Sequence, residues 1–281
     1  MCEEALKAAR ANVARYEDNE AGRPEFDSSR EFVMTRTVNP SWKPGDGASD
    51  DEWTKHKKVS INPADQPALE VYKLLISGIV PRPIGFLSTI NPETGKGNLA
   101  PYSFFEVVAS EPPTFIVSVA GSKDSLLHIR ETKETVINVI SEWFIDAANY
   151  TSITSPTEIS EWELSGLTPQ PSTIVKPACV AESAFNIECK LVDVLEVKSA
   201  RAKDKINNHI LVLEGVAIHV REDMYDPERN IIDLAKLKPI GRAGGISYVR
   251  ILEGFELPRY EFDQQLEDEP ALKKVVGNPK I

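Results

Sequence analysis

The chain has 281 residues, of which 41% are hydrophobic and 27% are charged. This is an ordinary globular composition with enough apolar material for one sizeable domain. Lys and Arg number 32 against 43 Asp and Glu, so the formal net charge is −11. Such an acidic surface repels nucleic acid and anionic membranes, and no apolar run approaches the about 20 residues that span a bilayer. We expect binding to neither.

Cysteine and histidine are too few and too scattered to predict a metal site. The three cysteines are odd in number and lack the CxxC spacing of metal ligands; they are Cys2, Cys179 and Cys189. Reduced thiols are typical of a cytosolic protein, so we expect cytoplasmic localisation and no bound metal.

The first 68 residues differ in composition from the rest and are predicted to form an N-terminal arm. Residues 3–17 have the apolar spacing of a short amphipathic helix. Residues 21–68 are polar and rich in Pro and Gly, yet they carry isolated aromatic residues. Because disordered tails are usually poor in aromatic residues, we expect the arm to pack on the body or on a partner subunit. A disordered arm is the alternative.

Residues 69–260 are predicted to form the body, and residues 261–281 a C-terminal tail. Stretches rich in Val, Ile, Phe and Thr predict strands over 84–90, 114–120, 134–141, 185–198 and 209–220. Helical patterns cover only 124–133 and 141–150. Strands outnumber helices and do not alternate with them regularly. The pattern therefore favours a mainly β, antiparallel barrel with peripheral helices.

A rigid Pro-Arg-Pro segment leads into the first of these strands. Prolines on both sides limit the backbone freedom of Arg82, whose guanidinium fork suits a phosphate group. A surface ion pair is the alternative role. Ser88 and Thr89 end the same strand, where hydroxyl groups either close the turn or face a ligand.

Residues 98–105, Asn-Leu-Ala-Pro-Tyr-Ser-Phe-Phe, combine an amide, a small side chain and a hydroxyl with aromatic residues. A planar heterocycle with a carbonyl and N–H edge fits the groups of Asn98, Ala100 and Ser103. Ala100 allows a ring to approach closely, and Phe104 adds an aromatic wall. Core packing alone is the alternative explanation for the aromatic residues.

Two further segments carry cations beside glycine. Lys123, Asp124 and Ser125 follow Gly121-Ser122 at the predicted start of a helix, where backbone N–H groups and the helix dipole favour an anion. Ordinary helix capping is the alternative. Downstream, Arg242 lies in a glycine-rich loop that is followed by Tyr248. The sequence contains no GxGxxG, P-loop, HExxH or GxSxG motif.

These segments, in this order, resemble the flavin reductase-like, FMN-binding split-barrel family, which includes flavoredoxin-like proteins. The resemblance covers about residues 70–257 and is carried by PRPIGFLST at 81–89, NLAPYSFFEVV at 98–108, EPPTFIVSV at 111–119, KDSLLHI at 123–129, VINVISE at 136–142, GLTP at 166–169, ECKL at 188–191 and GRAGGISY at 241–248. It implies an antiparallel split β-barrel with FMN in a groove near a homodimer interface.

By position, the resemblance implies three groups of cofactor-binding residues. Those expected near the phosphate and ribityl chain are Arg82, Ser88, Thr89 and Lys123. Those expected along the isoalloxazine are Asn98, Leu99, Ala100, Ser103 and Phe104. Asp124 and Ser125 fall in the same motif as Lys123, while Arg242 and Tyr248 are expected to reach the site from the far end of the barrel or from the partner subunit.

One departure from the family pattern concerns a histidine. The family commonly has Asn where this chain has His128, and Thr where it has Ser125. His128 is the single candidate for a catalytic side chain. It alters the polar contacts near the flavin, or it faces the core and bonds to backbone.

The resemblance implies an FMN-dependent oxidoreductase. Bound FMN carries the hydride chemistry itself, so the lack of an acid–base pair is no argument against an enzyme. We expect an NAD(P)H:flavin reductase, in which NADH or NADPH binds transiently and transfers hydride to flavin N5, with free flavin or another small molecule as acceptor. The alternatives are a flavin-dependent oxygenase or tailoring enzyme, and an electron-transfer protein without NAD(P)H activity.

Overall fold

The computed structural model describes residues 16–268 and residue 272. Residues 1–31 and 32–281 form two separate compact units. In the first unit, residues 16–20 are helical and a turn follows, in which the Ala21 N–H donates to the Glu17 carbonyl at 3.2 Å. Most of the helix predicted over residues 3–17 lies outside the described residues.

A seven-stranded antiparallel sheet dominates the second unit. Its strands are β1 (Gly85–Ile90), β2 (Gly97–Tyr102), β3 (Phe105–Ser110), β4 (Pro113–Ala120), β5 (Glu134–Asn138), β6 (Phe185–Lys198) and β7 (Ile206–Val220). Their spatial order is β2-β1-β5-β6-β7-β4-β3. Every neighbouring pair is antiparallel, as the sequence predicted.

The sheet curls on itself, because its two edge strands follow one another in the chain. Only Ser103 and Phe104 separate the end of β2 from the start of β3. Two residues span no more than about 11 Å between the flanking Cα atoms, so the two edges must lie close together. The Phe104 carbonyl also accepts a hydrogen bond of 2.8 Å from the Ser118 N–H in β4. The result is the barrel arrangement that the resemblance implied.

Short helices surround the sheet. They are α1 (Ala68–Gly78), α2 (Asp124–Thr132), α3 (Ile145–Tyr150), α4 (Glu161–Ser165), α5 (Leu234–Leu237) and α6 (Phe262–Asp268), with 3-10 turns at Glu52–Thr54, Pro63–Asp65, Glu142–Phe144 and Glu222–Met224. In the part of the chain that the structure describes, four strand pairs lie outside the main sheet: Val33–Met34 with Glu253–Gly254, Pro169–Gln170 with Cys179–Val180, Tyr225–Asp226 with Ile231–Ile232, and Ile240–Arg242 with Tyr248–Arg250.

Both faces of β1 are buried, which explains its continuous run of apolar and small residues. Leu87 packs with Leu126 and Ile129 of α2 in one hydrophobic cluster. Phe86, on the opposite face, packs with Phe144 and residues of α3 in a second cluster. A strand covered on both faces loses the polar alternation of a surface strand. The barrel wall and its helices thereby bury β1, and they place the edge strand β2 directly beside it.

The part of the arm that belongs to the second unit is attached by backbone pairing. Val33 and Met34 pair in parallel with Glu253 and Gly254, and the Arg201 side chain donates to the Pro63 carbonyl at 2.7 Å. Residues 36–49 and 256–260 together enclose a cavity of about 650 Å³. Among the described residues, no helix combines the length and apolarity needed to cross a membrane.

Candidate functional site

A cleft of about 370 Å³ opens beside the edge strand β2. It is bounded by β2, the N-terminal turn of α2, the loop that follows α3 and the first residue of α4. Six of the residues predicted to bind a cofactor line it together: Asn98, Leu99, Ala100, Lys123, Asp124 and Ser125. The cleft is the place where segments that are distant in sequence meet, and it is the candidate site.

The floor of the cleft is a buried polar cluster. The Asn98 amide lies 3.0 Å from Ser125 Oγ, and turning this amide over places its nitrogen 3.1 Å from Glu161 Oε2. Only in this second orientation does Asn98 bridge the two residues, because its nitrogen then donates to Glu161 while its oxygen accepts from Ser125 Oγ at 3.0 Å and from the Leu99 N–H at 3.2 Å. All three residues are buried, and buried polar groups require such partners. The cluster therefore holds the Asn98 side chain in one position at the bottom of the cleft.

The first turn of α2 forms a second wall. Gly121 precedes it with a φ of +65°, in the left-handed region that glycine adopts without strain. Lys123 occupies the N-cap position, and it makes no capping hydrogen bond with its side chain. The first N–H groups of the helix thus lack a side-chain acceptor from their own cap, beside the Lys123 ammonium. This end of the cleft has the chemistry of an anion site.

A hydroxyl-rich loop forms the third wall, and the sequence analysis missed it. Residues 151–157, Thr-Ser-Ile-Thr-Ser-Pro-Thr, contain five hydroxyl side chains and follow α3. All of these residues except Pro156 line the cleft. The density of Ser and Thr was the available signal. Nothing in the sequence, however, placed this loop beside residues 98–100, because that contact depends on how α4 packs.

The N-terminus of α4 covers the free edge of β2. Ser160 donates from Oγ to the Gly97 carbonyl at 2.5 Å, and Glu161 Oε2 accepts from the Leu99 N–H at 3.4 Å. Gly97 also allows the Trp162 indole to approach, since an added Cβ would lie 2.7 Å from its Nε1. Glu161, another residue missed from sequence, thus contacts both the strand and the cleft.

Ser88, Thr89 and His128 lie behind the cleft rather than in it. Ser88 Oγ donates to the Ala178 carbonyl at 2.6 Å, and Thr89 Oγ1 lies 3.2 Å from His128 Nδ1. All three are buried. Burial lowers the pKa of His128, although Asp124 and Glu161 act in the opposite direction. The structure places His128 against Thr89 in the core, one turn of α2 beyond the cleft-lining Asp124.

Arg82 is also separated from the cleft. Its Nη1 donates to the carbonyls of Ile76 at 2.6 Å and Ile79 at 2.7 Å, and its Nη2 to that of Ala243 at 2.9 Å. The guanidinium is buried and closes the C-terminal end of α1, where a cation is favoured by the helix dipole. Both of its terminal nitrogens donate to backbone, while its buried Nε has no partner among the described residues, so the structure gives Arg82 a helix-anchoring position.

Arg242 and Tyr248 form a pair at the far end of β1. Arg242 lies over the Tyr248 ring at 4.3 Å from its centroid, and its Nη2 donates to the Gly245 carbonyl at 2.8 Å. The Tyr248 hydroxyl donates to Asn149 Oδ1 at 2.7 Å. Because Asn149 lies in α3 immediately before the hydroxyl-rich loop, Tyr248 supports that wall of the cleft from behind.

Ser103 and Phe104 form the link between β2 and β3, just past the cleft-lining Tyr102. The Phe104 ring is exposed and lies 6.5 Å from the Tyr72 ring of α1. Burial raises the pKa of Tyr102, despite its hydrogen bond with Ser125. Ser103 and Phe104 thus stand between the cleft and the outer face of α1.

A second polar cluster, formed by β6, β7 and the short strand Cys179–Val180, is distinct from the cleft. Cys179, Glu188 and His219 bring three atoms able to bind a metal within 4.8 Å of one another, a proximity that sequence spacing did not reveal. The Glu188 carboxylate, however, already accepts hydrogen bonds from three backbone N–H groups, from the Thr173 hydroxyl and from His219. The lone pairs of this carboxylate are therefore occupied. Most of the groups that donate to it belong to residues 173–175, so Glu188 anchors that loop.

Residues 77–234 match the model of the flavin reductase like domain. The chain belongs to this family. Two relatives are uncharacterized proteins. One, from Aquifex aeolicus, is 37% identical over 64% of this chain and 89% of its own. The other, from Halalkalibacterium halodurans, is 33% identical over 74% of this chain and its full length.

Solved structures agree with this assignment. Nitrilotriacetate monooxygenase component B from Bacillus cereus is 34% identical, with a TM-score of 0.68 over 72% of this chain and 100% of its own. Pseudomonas fluorescens 2-nitrobenzoate 2-nitroreductase NbaA is 28% identical, with a TM-score of 0.65, and the match covers 73% of this chain and 98% of its own. A Shewanella frigidimarina protein with a split barrel domain is 20% identical and shares the fold, with a TM-score of 0.60. The match covers 71% of this chain and 95% of its own. The predicted family and fold are confirmed, and the family with these neighbours supports a flavin-related oxidoreductase.

Proposed function

We propose that the cleft binds FMN and that the protein is an NAD(P)H-dependent flavin reductase. The observation that carries this proposal is the meeting, in a single cleft, of residues 98–100 and 123–125 from the two family motifs. A family match alone supports the fold and the class of chemistry. Convergence of these residues supports a flavin site in this chain.

The donors and acceptors of the cleft fit the chemistry of FMN. Lys123 and the first N–H groups of α2 suit a phosphate, the hydroxyl groups of residues 151–157 suit a ribityl chain, and the amide of Asn98 suits the polar edge of a ring system. The phosphate needs this local cation because the protein as a whole has a net charge of −11. Among the described residues we therefore assign the phosphate to the Lys123 end.

Bound FMN supplies the hydride acceptance, and the chain supplies position and shape. Asn98, held by Ser125 and Glu161, would hold one edge of the ring, and the small side chain of Ala100 would leave room for it beside β2. NADH or NADPH binds in the open part of the cleft without a dinucleotide-binding motif, since the sequence contains no GxGxxG. No acid–base residue is needed for this transfer.

Anaerobic reduction tests the proposed activity directly. The FMN-loaded protein is mixed with NADH or NADPH in a stopped-flow instrument, and the visible flavin absorption is followed. We expect one of the two nucleotides to bleach the absorption within seconds, and added free flavin to restore it. A stable yellow complex that neither nucleotide reduces would exclude the reductase and leave an electron-transfer protein.

Direct reduction of an organic substrate is a second candidate. It is favoured by the likeness to NbaA, which is a 2-nitrobenzoate 2-nitroreductase and 28% identical to this chain. The cleft is open to solvent beside Tyr102 and the hydroxyl-rich loop, so a small aromatic compound has room to enter. Steady-state NAD(P)H oxidation with nitroaromatic compounds, in the absence of free flavin, separates this candidate from the first.

We further propose that two copies associate through an apolar face formed by α1 and β3. Leu69, Tyr72, Leu74 and Leu75 of α1 are exposed, and Ile76 is the one buried residue of this helix. Val107 and Val108 extend the exposed apolar surface along the edge strand β3. A surface of this kind is rarely left open to solvent, and a second copy would cover it near Phe104 and the cleft.

A further inference from the structure

Glu161 is a buried carboxylate in the wall of a cleft that must also accept an anion. Its side chain lines the cleft, yet the residue is only 6% exposed. A carboxylate is costly to bury unless it is hydrogen-bonded. Its position at the start of α4 and against β2 supplies some of the hydrogen bonds that this carboxylate requires.

The partners of Glu161 leave one acceptor site open. Oε1 accepts a short hydrogen bond from Ser155 Oγ, and Oε2 accepts from the Leu99 N–H. The Asn98 amide supplies a third when its nitrogen faces Oε2 at 3.1 Å. Because a carboxylate has about four lone-pair sites, at least one remains for a donor in the cleft.

The group beside that open site is a hydrogen-bond donor. Asn98 carries a second amide N–H next to the one that faces Oε2, while the Leu99 N–H is already engaged by Oε2 or by the Asn98 oxygen. The wall thus presents an acceptor accompanied by a donor. The pyrimidine edge of an oxidised isoalloxazine has the complementary pattern, in which an N–H donor at N3 stands between two carbonyl acceptors.

We propose that Glu161 is the residue that recognises the flavin ring, by accepting the hydrogen bond of its N3–H. This inference rests on the proposed function and deepens it. Charge gives the same orientation independently. The Glu161 carboxylate repels a phosphate, so the phosphate lies toward Lys123 and the ring toward Glu161. Glu161 also ties the hydroxyl-rich loop to β2 through Ser155, so ring recognition and the position of that loop are coupled.

An N3-methylated FMN tests the assignment, because a methyl group replaces the N–H donor that Glu161 would accept. Glu161→Gln, which keeps the volume of the side chain, separates loss of the hydrogen bond from crowding by the methyl group. We expect the wild-type protein to bind FMN at least about tenfold more tightly than 3-methyl-FMN, as loss of one charge-assisted hydrogen bond requires. Glu161→Ala should remove this preference. Glu161→Gln keeps a neutral acceptor and should reduce the ratio between the affinities for FMN and 3-methyl-FMN. Glu163→Gln, an exposed carboxylate two residues further in α4, is the matched control and should leave the preference intact.

The outcomes separate this inference from the proposed function. If the wild-type protein binds FMN but does not distinguish the methylated analogue, or if Glu161→Ala still distinguishes it, the role of Glu161 is overturned and the flavin site stands. If Glu161→Ala does not fold, Glu161→Gln decides the matter: an unchanged preference overturns the role. Absence of any FMN binding by the wild-type protein overturns both. A second readout is the reduction potential of bound FMN, which should rise in Glu161→Gln because a negative charge beside the ring is removed.

Discussion

Glu188 illustrates how one buried side chain fixes a loop. Burial by itself raises the pKa of this carboxyl, but hydrogen bonds from the Thr173 backbone and hydroxyl, from His219 and from the Val175 N–H outweigh it and hold the pKa at about 2. The residue is fully buried in β6, and all of its partners except His219 belong to residues 173–175. The loop before Cys179 is therefore fastened to the sheet through a single anion.

Replacing Glu188 by Gln should lower the free energy of unfolding by about 3 kcal/mol at pH 7. Because folding lowers the pKa of Glu188, the ionised carboxylate stabilises the folded state at pH values above the unfolded pKa near 4.5. This stabilisation is lost as the pH falls toward about 2. The difference between wild type and Glu188→Gln should thus shrink between pH 4.5 and pH 2. Urea unfolding across this range measures it, with the exposed Glu228→Gln as control. A difference that does not depend on pH would contradict the account.

Arg82 is the second residue whose position decides its role. Its guanidinium binds three carbonyl groups at the end of α1 and before Gly244. Arg82→Lys keeps the charge but cannot reach all three, so we expect a loss of stability of about 2 kcal/mol. Thermal unfolding measures it. Arg242→Lys, whose guanidinium is less deeply buried, should cost less. If Arg82→Lys left the unfolding temperature unchanged and weakened FMN binding instead, the result would contradict the anchoring role and support the predicted phosphate role.

The contact between β2 and α4 is the element-level feature on which the cleft depends. Gly97 lies beneath the Trp162 indole, and a Cβ there would approach Nε1 and Cδ1 within 2.8 Å. Gly97→Ala should displace α4, lower stability by about 1–2 kcal/mol and weaken FMN binding through Glu161. Gly78→Ala is the matched control, since nothing lies within 4 Å of its added Cβ. Calorimetry and an FMN titration on both variants test this. If the two variants had the same stability and the same affinity for FMN, α4 would not shape the cleft.

The sequence predicted the central elements well and the edges poorly. The strand over 185–198 and the helix from Asp124 were found because both carry apolar residues that are buried in the core, in the first half of the strand and along the helix. Strand β2 was not identified as a strand, since Pro101 and its polar residues are typical of an edge. Helix α1 escaped notice because its apolar residues face outward, where no core-facing stripe marks a helix.

The same contrast holds for the site. Residues 98–100 and 123–125 were predicted as two local motifs, and the barrel brings them together. Glu161 and the hydroxyl-rich loop carry no motif of their own; they join the cleft only through the packing of α4 on Gly97. Arg82 and Ser88, conversely, have the chemistry of a phosphate site, but the fold directs their donors to backbone carbonyls. Local chemistry predicts which groups are available, and tertiary packing decides which of them meet.

The molecule as a whole combines a net charge of −11 with an apolar face on α1 and β3. Covering that face with a second copy removes Leu74 and its neighbours from water, at roughly 25 cal/mol for each Å² of apolar surface. We expect a dimer in sedimentation equilibrium, and a monomer for Leu74→Asp. Val59→Asp, at an apolar side chain that is 84% exposed in the arm, is the control and should remain dimeric. A wild-type monomer at micromolar concentration would contradict the proposed association.

The central claim is that this acidic chain holds FMN in the cleft between β2 and α2, with the phosphate at Lys123. The most direct test is a fluorescence titration of the flavin-free protein with FMN and with riboflavin, repeated on Lys123→Ala. We expect one FMN per chain, bound at low micromolar concentration or more tightly. Riboflavin should bind at least about tenfold more weakly, and this difference should largely vanish in Lys123→Ala. A protein that does not bind FMN at high micromolar concentration, or that binds FMN and riboflavin equally, would contradict the account.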